Sequence, residues 1–220
     1  MIKADEIIRS NRRTLSVSVD ALGKITVRAP WRCSDARICA FLQDKADWIQ
    51  RALAKTNGAG MRLPTENLNG YVFPLLGVQT QIVLTGEKRI RFDDKEKRIY
   101  LPSDKPQERL VKWLKENAKR ILGKLTAEKA EQMGVRYHSV SITSARTRWG
   151  SCSGKDAVHY PFRLLYLSRE IIEYVIVHEL AHTVHKNHSK AFWSLVERYV
   201  PNWRARRGEL KEAGWLTYLF

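Results

Sequence analysis

The sequence predicts an α+β protein, β-rich in its first half and mainly helical in its second, on three observations. Apolar residues alternate along short runs between Arg13 and Leu101, they recur at helical spacing from Pro106 onward, and glycines or paired aspartates separate the early runs. With 220 residues and 44% hydrophobic content, the chain can bury one full core or two small ones.

Leu15, Val17 and Val19, then Ile25 and Val27, alternate around Asp20-Ala21-Leu22-Gly23, which predicts a β-hairpin over residues 13–29. Ile38, Phe41, Leu42, Trp48, Ile49 and Leu53 fall near helical spacing over residues 34–55, with Ser34 placed to cap that helix. Four β-like runs follow, at 72–75, 80–84, 88–92 and 98–101; Gly77, Gly86 and Asp93-Asp94 separate them, and two further hairpins are the expectation. Trp31, Trp48, Tyr71 and Phe73 sit in these apolar segments and are read as core.

From Pro106 to Met133 the stripe Leu110, Trp113, Leu114, Ile121, Leu122 and Leu125 predicts one long helix, ended by Gly134. A strand at 139–143, a loop-rich stretch through Arg148-Trp149-Gly150-Ser151-Cys152 and an extended run at 164–167 come next. Ser168 can then cap a helix from Arg169 to about His185, and its apolar residues (Ile171, Ile172, Val175, Ile176, Val177, Leu180, Ala181) leave so little polar surface that it must be central. Ser189 is placed to cap a helix over 190–200 closed by Pro201, and a last helix is expected over 204–213 before an aromatic tail at 215–220. The change of character near residue 104 divides the chain into a β-rich lobe with one helix, residues 1–104, and a helical lobe, residues 105–220.

Net charge is +16, spread as +7 up to Tyr100 and +9 beyond it, so no basic tail carries it. Such a surface attracts polyanions, and nucleic acid is a possible partner; a merely solvated basic face is the simpler reading. No apolar run approaches the roughly 18 residues of a membrane span, and the first residues lack the pattern of a secretory signal. The expectation is therefore a cytoplasmic protein without a membrane partner. Cys33, Cys39 and Cys152 are too few and too irregularly spaced for a disulfide framework or a cysteine-based metal site.

The chemistry concentrates in His178-Glu179-Leu180-Ala181-His182, an H-E-x-x-H pattern inside a segment whose periodicity is independently helical. Residues four apart on a helix stack about 6 Å along its axis on one face, so His178 and His182 can converge on one ion while Glu179 reaches a water. A catalytic zinc takes three protein ligands and keeps an open position. His188, six residues after His182, leaves just enough chain for the helix to end and turn back, and it is preferred as third ligand over Glu197 and, last, His185. Expected roles are thus His178, His182 and His188 as Zn2+ ligands and Glu179 as general base.

Arg148-Trp149-Gly150-Ser151-Cys152-Ser153, followed by this motif, His188 and Phe192-Trp193, resembles the YgjP-like metallopeptidase family, relatives of the SprT and WLM peptidases among the gluzincin-like zincins. The resemblance is specific over about residues 100–205. It implies a zincin-like core in which the motif helix packs beneath a small sheet, whose edge strand holds an extended peptide by main-chain pairing. It also implies the ligand set and base read from spacing. The family segment around Trp149 is read as structural, with cleft lining as the alternative and Arg148 or Tyr160 as candidates to stabilise an oxyanion; Cys152 is given no role. The reading is a zinc-dependent peptidase acting on peptide or protein, possible substrates including nucleic-acid-associated proteins. A basic nucleic-acid-binding protein with a structural zinc, and a hydrolase of non-peptide amides, are the alternatives.

Overall fold

The computed structural model describes residues 2–19, 23–56 and 67–218. Two compact units divide the chain at Arg62/Leu63. That boundary lies well before the one expected near residue 104, for a reason the second unit makes plain.

In the first unit, β1 (Glu6–Ser10), β2 (Ser16–Val19) and β3 (Ile25–Pro30) form a sheet in the order β1-β3-β2. The expected hairpin is present as the antiparallel pair β2/β3, with Val17 opposite Val27; residues 20–22 of its turn lie outside the described residues. β1 adds a parallel strand that the short Ile7-Ile8 run, lacking alternation, did not signal. The expected single helix is two, α1 (Asp35–Asp44) and α2 (Ala46–Thr56), interrupted at Lys45. Ser34 caps α1 as predicted, its hydroxyl accepting from the Arg37 amide at 3.3 Å.

The core of this unit is Ile25, Val27, Ala29, Ile38, Leu42 and Ile49. Two tryptophans expected in the core are instead surface residues: Trp31 is 65% exposed in the turn after β3, and Trp48 is 45% exposed on α2, one position away from buried Ile49. Neighbours on a helix point about 100° apart, so only one of the pair can face inward.

The second unit opens with β4 (Val72–Leu75), β5 (Val78–Thr85), β6 (Arg91–Asp93) and β7 (Arg98–Pro102), in the order β4-β5-β7-β6. Both expected hairpins form, β4/β5 and β6/β7, and the parallel pairing of β5 with β7 joins them. Gly77 turns the first hairpin at φ +79°, and a Cβ there would lie 2.9 Å from the Ser168 backbone. Phe73, Leu75, Ile82, Ile99 and Leu101 of this sheet share one buried core with Leu110, Leu114 and Leu122 of α3 (Pro106–Met133). Sheet and helix cannot be cut apart at residue 104 without exposing both, which is why the boundary falls earlier.

α3 has the predicted bounds, and Gly134 ends it. Beyond it, β8 (Ser139–Thr143) pairs parallel with β10 (Ala157–Pro161), and β9 (Ser151–Cys152) pairs antiparallel with β10 on its other side. β10 was unforeseen; Val158 and Tyr160 point inward and are fully buried. The run at 164–167, expected as extended, belongs to a 3₁₀ turn over Phe162–Tyr166 with all five residues buried. An apolar run without alternation does not distinguish a buried strand from a buried turn.

α4 (Arg169–Val184), α5 (Lys190–Tyr199) and α6 (Trp203–Glu212) complete the unit, followed by a 3₁₀ segment over Ala213–Tyr218. Nine of the sixteen residues of α4 are buried, as its apolar composition requires. The architecture is α+β, as predicted. No helix among the described residues is long and apolar enough to cross a membrane.

Candidate metal centre

α4 presents His178 and His182 four residues apart, their rings 5.0 Å between centroids. The helix ends at Val184, and the amide of His185 still reaches the Ala181 carbonyl at 2.9 Å. Lys186 and Asn187 then reverse the chain, and Ser189 starts α5 by accepting from the Phe192 amide at 3.3 Å. This turn delivers His188 to within 5.1 Å of the His178 ring and 4.8 Å of the His182 ring.

One nitrogen from each of the three imidazoles lies within 4.8 Å of the others. Phe192 packs edge-on or tilted against all three rings at 4.6–5.0 Å, and Trp193 stacks on His188. The cluster is therefore held in place by α5 as much as by α4. Glu197 lies apart, engaged with Arg204 at 2.9 Å. His185 contributes its backbone carbonyl, not its ring.

The donor set suits a cation. His182 Nδ1–H donates to the His185 carbonyl at 3.1 Å, which leaves Nε2 as the lone-pair atom. His178 and His188 turn their Nε2 atoms toward each other at 3.2 Å, while His178 Nδ1 is buried without a hydrogen-bond partner among the described residues. Burial, with the charges of His182, His188 and Arg207 added, pushes the His178 pKa down to about 3, and burial lowers that of His182. Both rings are neutral near pH 7 and offer nitrogen lone pairs.

Glu179 is 6% exposed, and its carboxyl makes no hydrogen bond among the described residues. Burial pushes its pKa up to about 7 against the opposing charge of Arg148. The backbone at Gly150 passes so close that a Cβ there would lie 2.5 Å from Glu179 Oε1. Glycine at 150 is a steric requirement of the site, so the family segment lines the cleft, whereas a structural role was the preferred expectation. A cavity of about 510 Å³ on one side of this point is lined by Trp149, Gly150, Tyr174, His178, Glu179, His188, Trp193 and Arg207 among others. On the other side, a second of about 630 Å³ runs past Ser151, Cys152, Ser153 and Lys186.

Of the two oxyanion candidates, Tyr160 is fully buried with its hydroxyl 3.4 Å from Thr126, so it does not face the cleft; Arg148 is exposed and its charge acts on Glu179. The three cysteines are free, and burial raises the Cys152 thiol pKa. Sequence reasoning missed Tyr174 and Arg207. Tyr174 stands four residues before His178 on the same helix face, a signal that was available; the place of Arg207 depends on how α6 packs and had none.

A family model described as YgjP-like, metallopeptidase domain, matches residues 13–213. No curated protein matches the sequence. Among solved structures, the metallopeptidase zymogen abylysin of Pyrococcus abyssi is 25% identical over 45% of this chain and 98% of its own, with a TM-score of 0.39. Since the matched span takes in the motif helix, all three histidines and Gly150, the chain belongs to the YgjP-like metallopeptidase family.

Proposed function

We propose that this metallopeptidase hydrolyses peptide bonds with zinc held by His178, His182 and His188 and with Glu179 as the general base. The observation that carries this reading is the convergence of three imidazoles, those of His178 and His182 held neutral by burial, beside a buried carboxyl that accepts no hydrogen bond among the described residues. Nitrogen-rich donor sets of this kind suit zinc, which when bound acidifies a water and polarises a carbonyl. A structural zinc would be closed by a fourth side chain, and among the described residues no further His, Cys, Asp or Glu joins the group.

The chain supplies the rest. Glu179, with a pKa of about 7, can take a proton from the attacking water and return it to the leaving amine. Gly150 leaves room for the substrate carbonyl where any side chain would displace that carboxyl. β9 is an edge strand, in the order β8-β10-β9, and its free side presents backbone groups for an extended peptide. Association with nucleic acid rests on the +16 charge alone, and salt-sensitive retention on an immobilised polyanion tests it.

Elemental analysis combined with a peptide-hydrolysis assay tests the main reading. Wild type should carry about one zinc per chain, Glu179→Gln should keep it while losing about 10²–10⁴ in rate, and His188→Ala should lose most of it. A wild type that takes up no zinc at neutral pH, or a Glu179→Gln variant of full activity, overturns the mechanism.

A further inference from the structure

The cleft on the α6 side of the histidines has a composition that the proposed hydrolysis does not need. Its walls are Trp149, Tyr174, Val175, Trp193 and Leu210, and apart from the histidines and Glu179 its single ionisable side chain of fixed charge is Arg207. Three arginines stand close together on α6, and they are used differently. Arg204 pairs with Glu197 at 2.9 Å and Arg206 with Glu209 at 2.7 Å. Arg207, between them in function and exposed to the cleft, has no carboxylate partner among the described residues.

The guanidinium of Arg207 lies 5.3 Å from the centre of the Trp193 ring. That ring is in turn fixed, stacked on Trp203 at 4.0 Å and on His188 at 5.6 Å. A planar cation resting on a fixed aromatic face keeps its edge donors free and loses little side-chain freedom on pairing, which suits a carboxylate approached in plane. Its charge is already felt inside the site, at His178 and at Tyr174. The neighbouring lysine of the cleft, Lys186, lines the opposite cavity and is paired with Asp156. One guanidinium on an apolar floor fits a monoanion on an aliphatic stem; a phosphate dianion would need further donors, which this wall does not provide.

We infer that Arg207 is a specificity-determining residue, and that this half of the cleft receives a carboxylate of the peptide substrate next to the scissile bond, its stem packed between Trp149 and Trp193. The inference rests on the peptidase reading above. Two sources share this chemistry, the side chain of an acidic residue and the α-carboxylate at the end of a peptide, and the test separates them.

Three matched peptides differ only beyond the scissile bond: glutamate with an amidated end, glutamine with an amidated end, and glutamine with a free carboxylate. Cleavage is measured with wild type, Arg207→Ala and Arg207→Glu, and binding is measured by titration calorimetry on the non-hydrolysing Glu179→Gln background. Wild type should favour one of the two carboxylate peptides over the neutral one by about five- to tenfold. Which of them it favours identifies the source. Arg207→Ala should bring that ratio near one, and Arg207→Glu should reverse it. Equal cleavage or equal affinity for the three peptides, or a preference that survives Arg207→Glu, overturns the inference. Failure of wild type to cleave any peptide would instead defeat the peptidase reading, while the affinities on the Glu179→Gln background still decide the subsite.

Discussion

Helices α3 and α4 lie in the same core, tied by Lys129 and Glu173 at 2.8 Å, yet they handle buried polar groups in opposite ways. α3 buries Leu110, Leu114, Ala118, Leu122, Leu125, Ala130 and Met133 along one stripe and leaves Lys112, Lys119, Arg120 and Lys124 exposed. Its buried polar residue, Thr126, is satisfied at once by its own helix, donating to the Leu122 carbonyl at 2.7 Å. α4 buries nine of its sixteen residues, and the polar Glu179 is one of them. Among the described residues, the Glu179 carboxyl makes no hydrogen bond and His178 Nδ1 has no partner. A buried polar group satisfied locally belongs to packing, whereas one left without a protein partner costs stability and marks a site kept for something else.

The largest expected effect that tests this contrast is at Gly150, where a Cβ would meet the α4 carboxyl. Gly150→Ala should force Glu179 aside and lower peptide hydrolysis by about 10–100-fold while metal content, measured by elemental analysis, is kept. Full activity in that variant would mean that the carboxyl has more room than a Cβ at 2.5 Å allows.

The next effect is a pH dependence of the metal-free protein. Glu179 has a folded pKa of about 7, above its ordinary 4.5. Between these values the unfolded chain has released the proton and the folded chain still holds it, so this group makes stability fall as pH rises, on the order of 3 kcal/mol in all. His178 acts in the other direction: its folded pKa of about 3 lies below the ordinary 6.5, so its contribution is complete above pH 6.5 and is lost as pH falls toward 3. The two act against each other in wild type between pH 4.5 and 6.5, and His182, whose pKa burial also lowers, adds to the slope of His178. Glu179→Gln removes the opposing slope, so urea unfolding of this variant should show stability rising with pH more steeply than in wild type. Parallel curves for the two proteins would show that Glu179 is not desolvated.

The smallest effect belongs to α3. Gly123 lies inside that helix, and nothing lies within 4 Å of a Cβ added there. Gly123→Ala should stabilise the protein by about 0.5–1 kcal/mol with no change in hydrolysis, read as a shift in the urea midpoint. A change in activity would break the separation between the packing helix and the chemical one.

Much of this was legible in the chain because its signals are local. The bounds of α3 followed from one apolar stripe between Pro106 and Gly134, Ser34 and Ser189 capped the helices expected of them, and the H-E-x-x-H spacing works through helix geometry alone. Where a signal was ambiguous or cooperative, the reading failed. The run at 164–167 carried no period, Trp48 and Ile49 competed for one inward direction, and the division near residue 104 ignored that Ile82 and Ile99 share one buried core with α3.

By itself the sequence determined the α+β class, the helices of the second half and the pairing of His178 with His182, since each depends on periodicity within one segment. The spacing also pointed to His188, which the turn after α4 brings to the other two histidines. Only the tertiary structure decided that Gly150 must be glycine and that Arg207 faces the cleft, because those depend on distances between elements far apart in the chain.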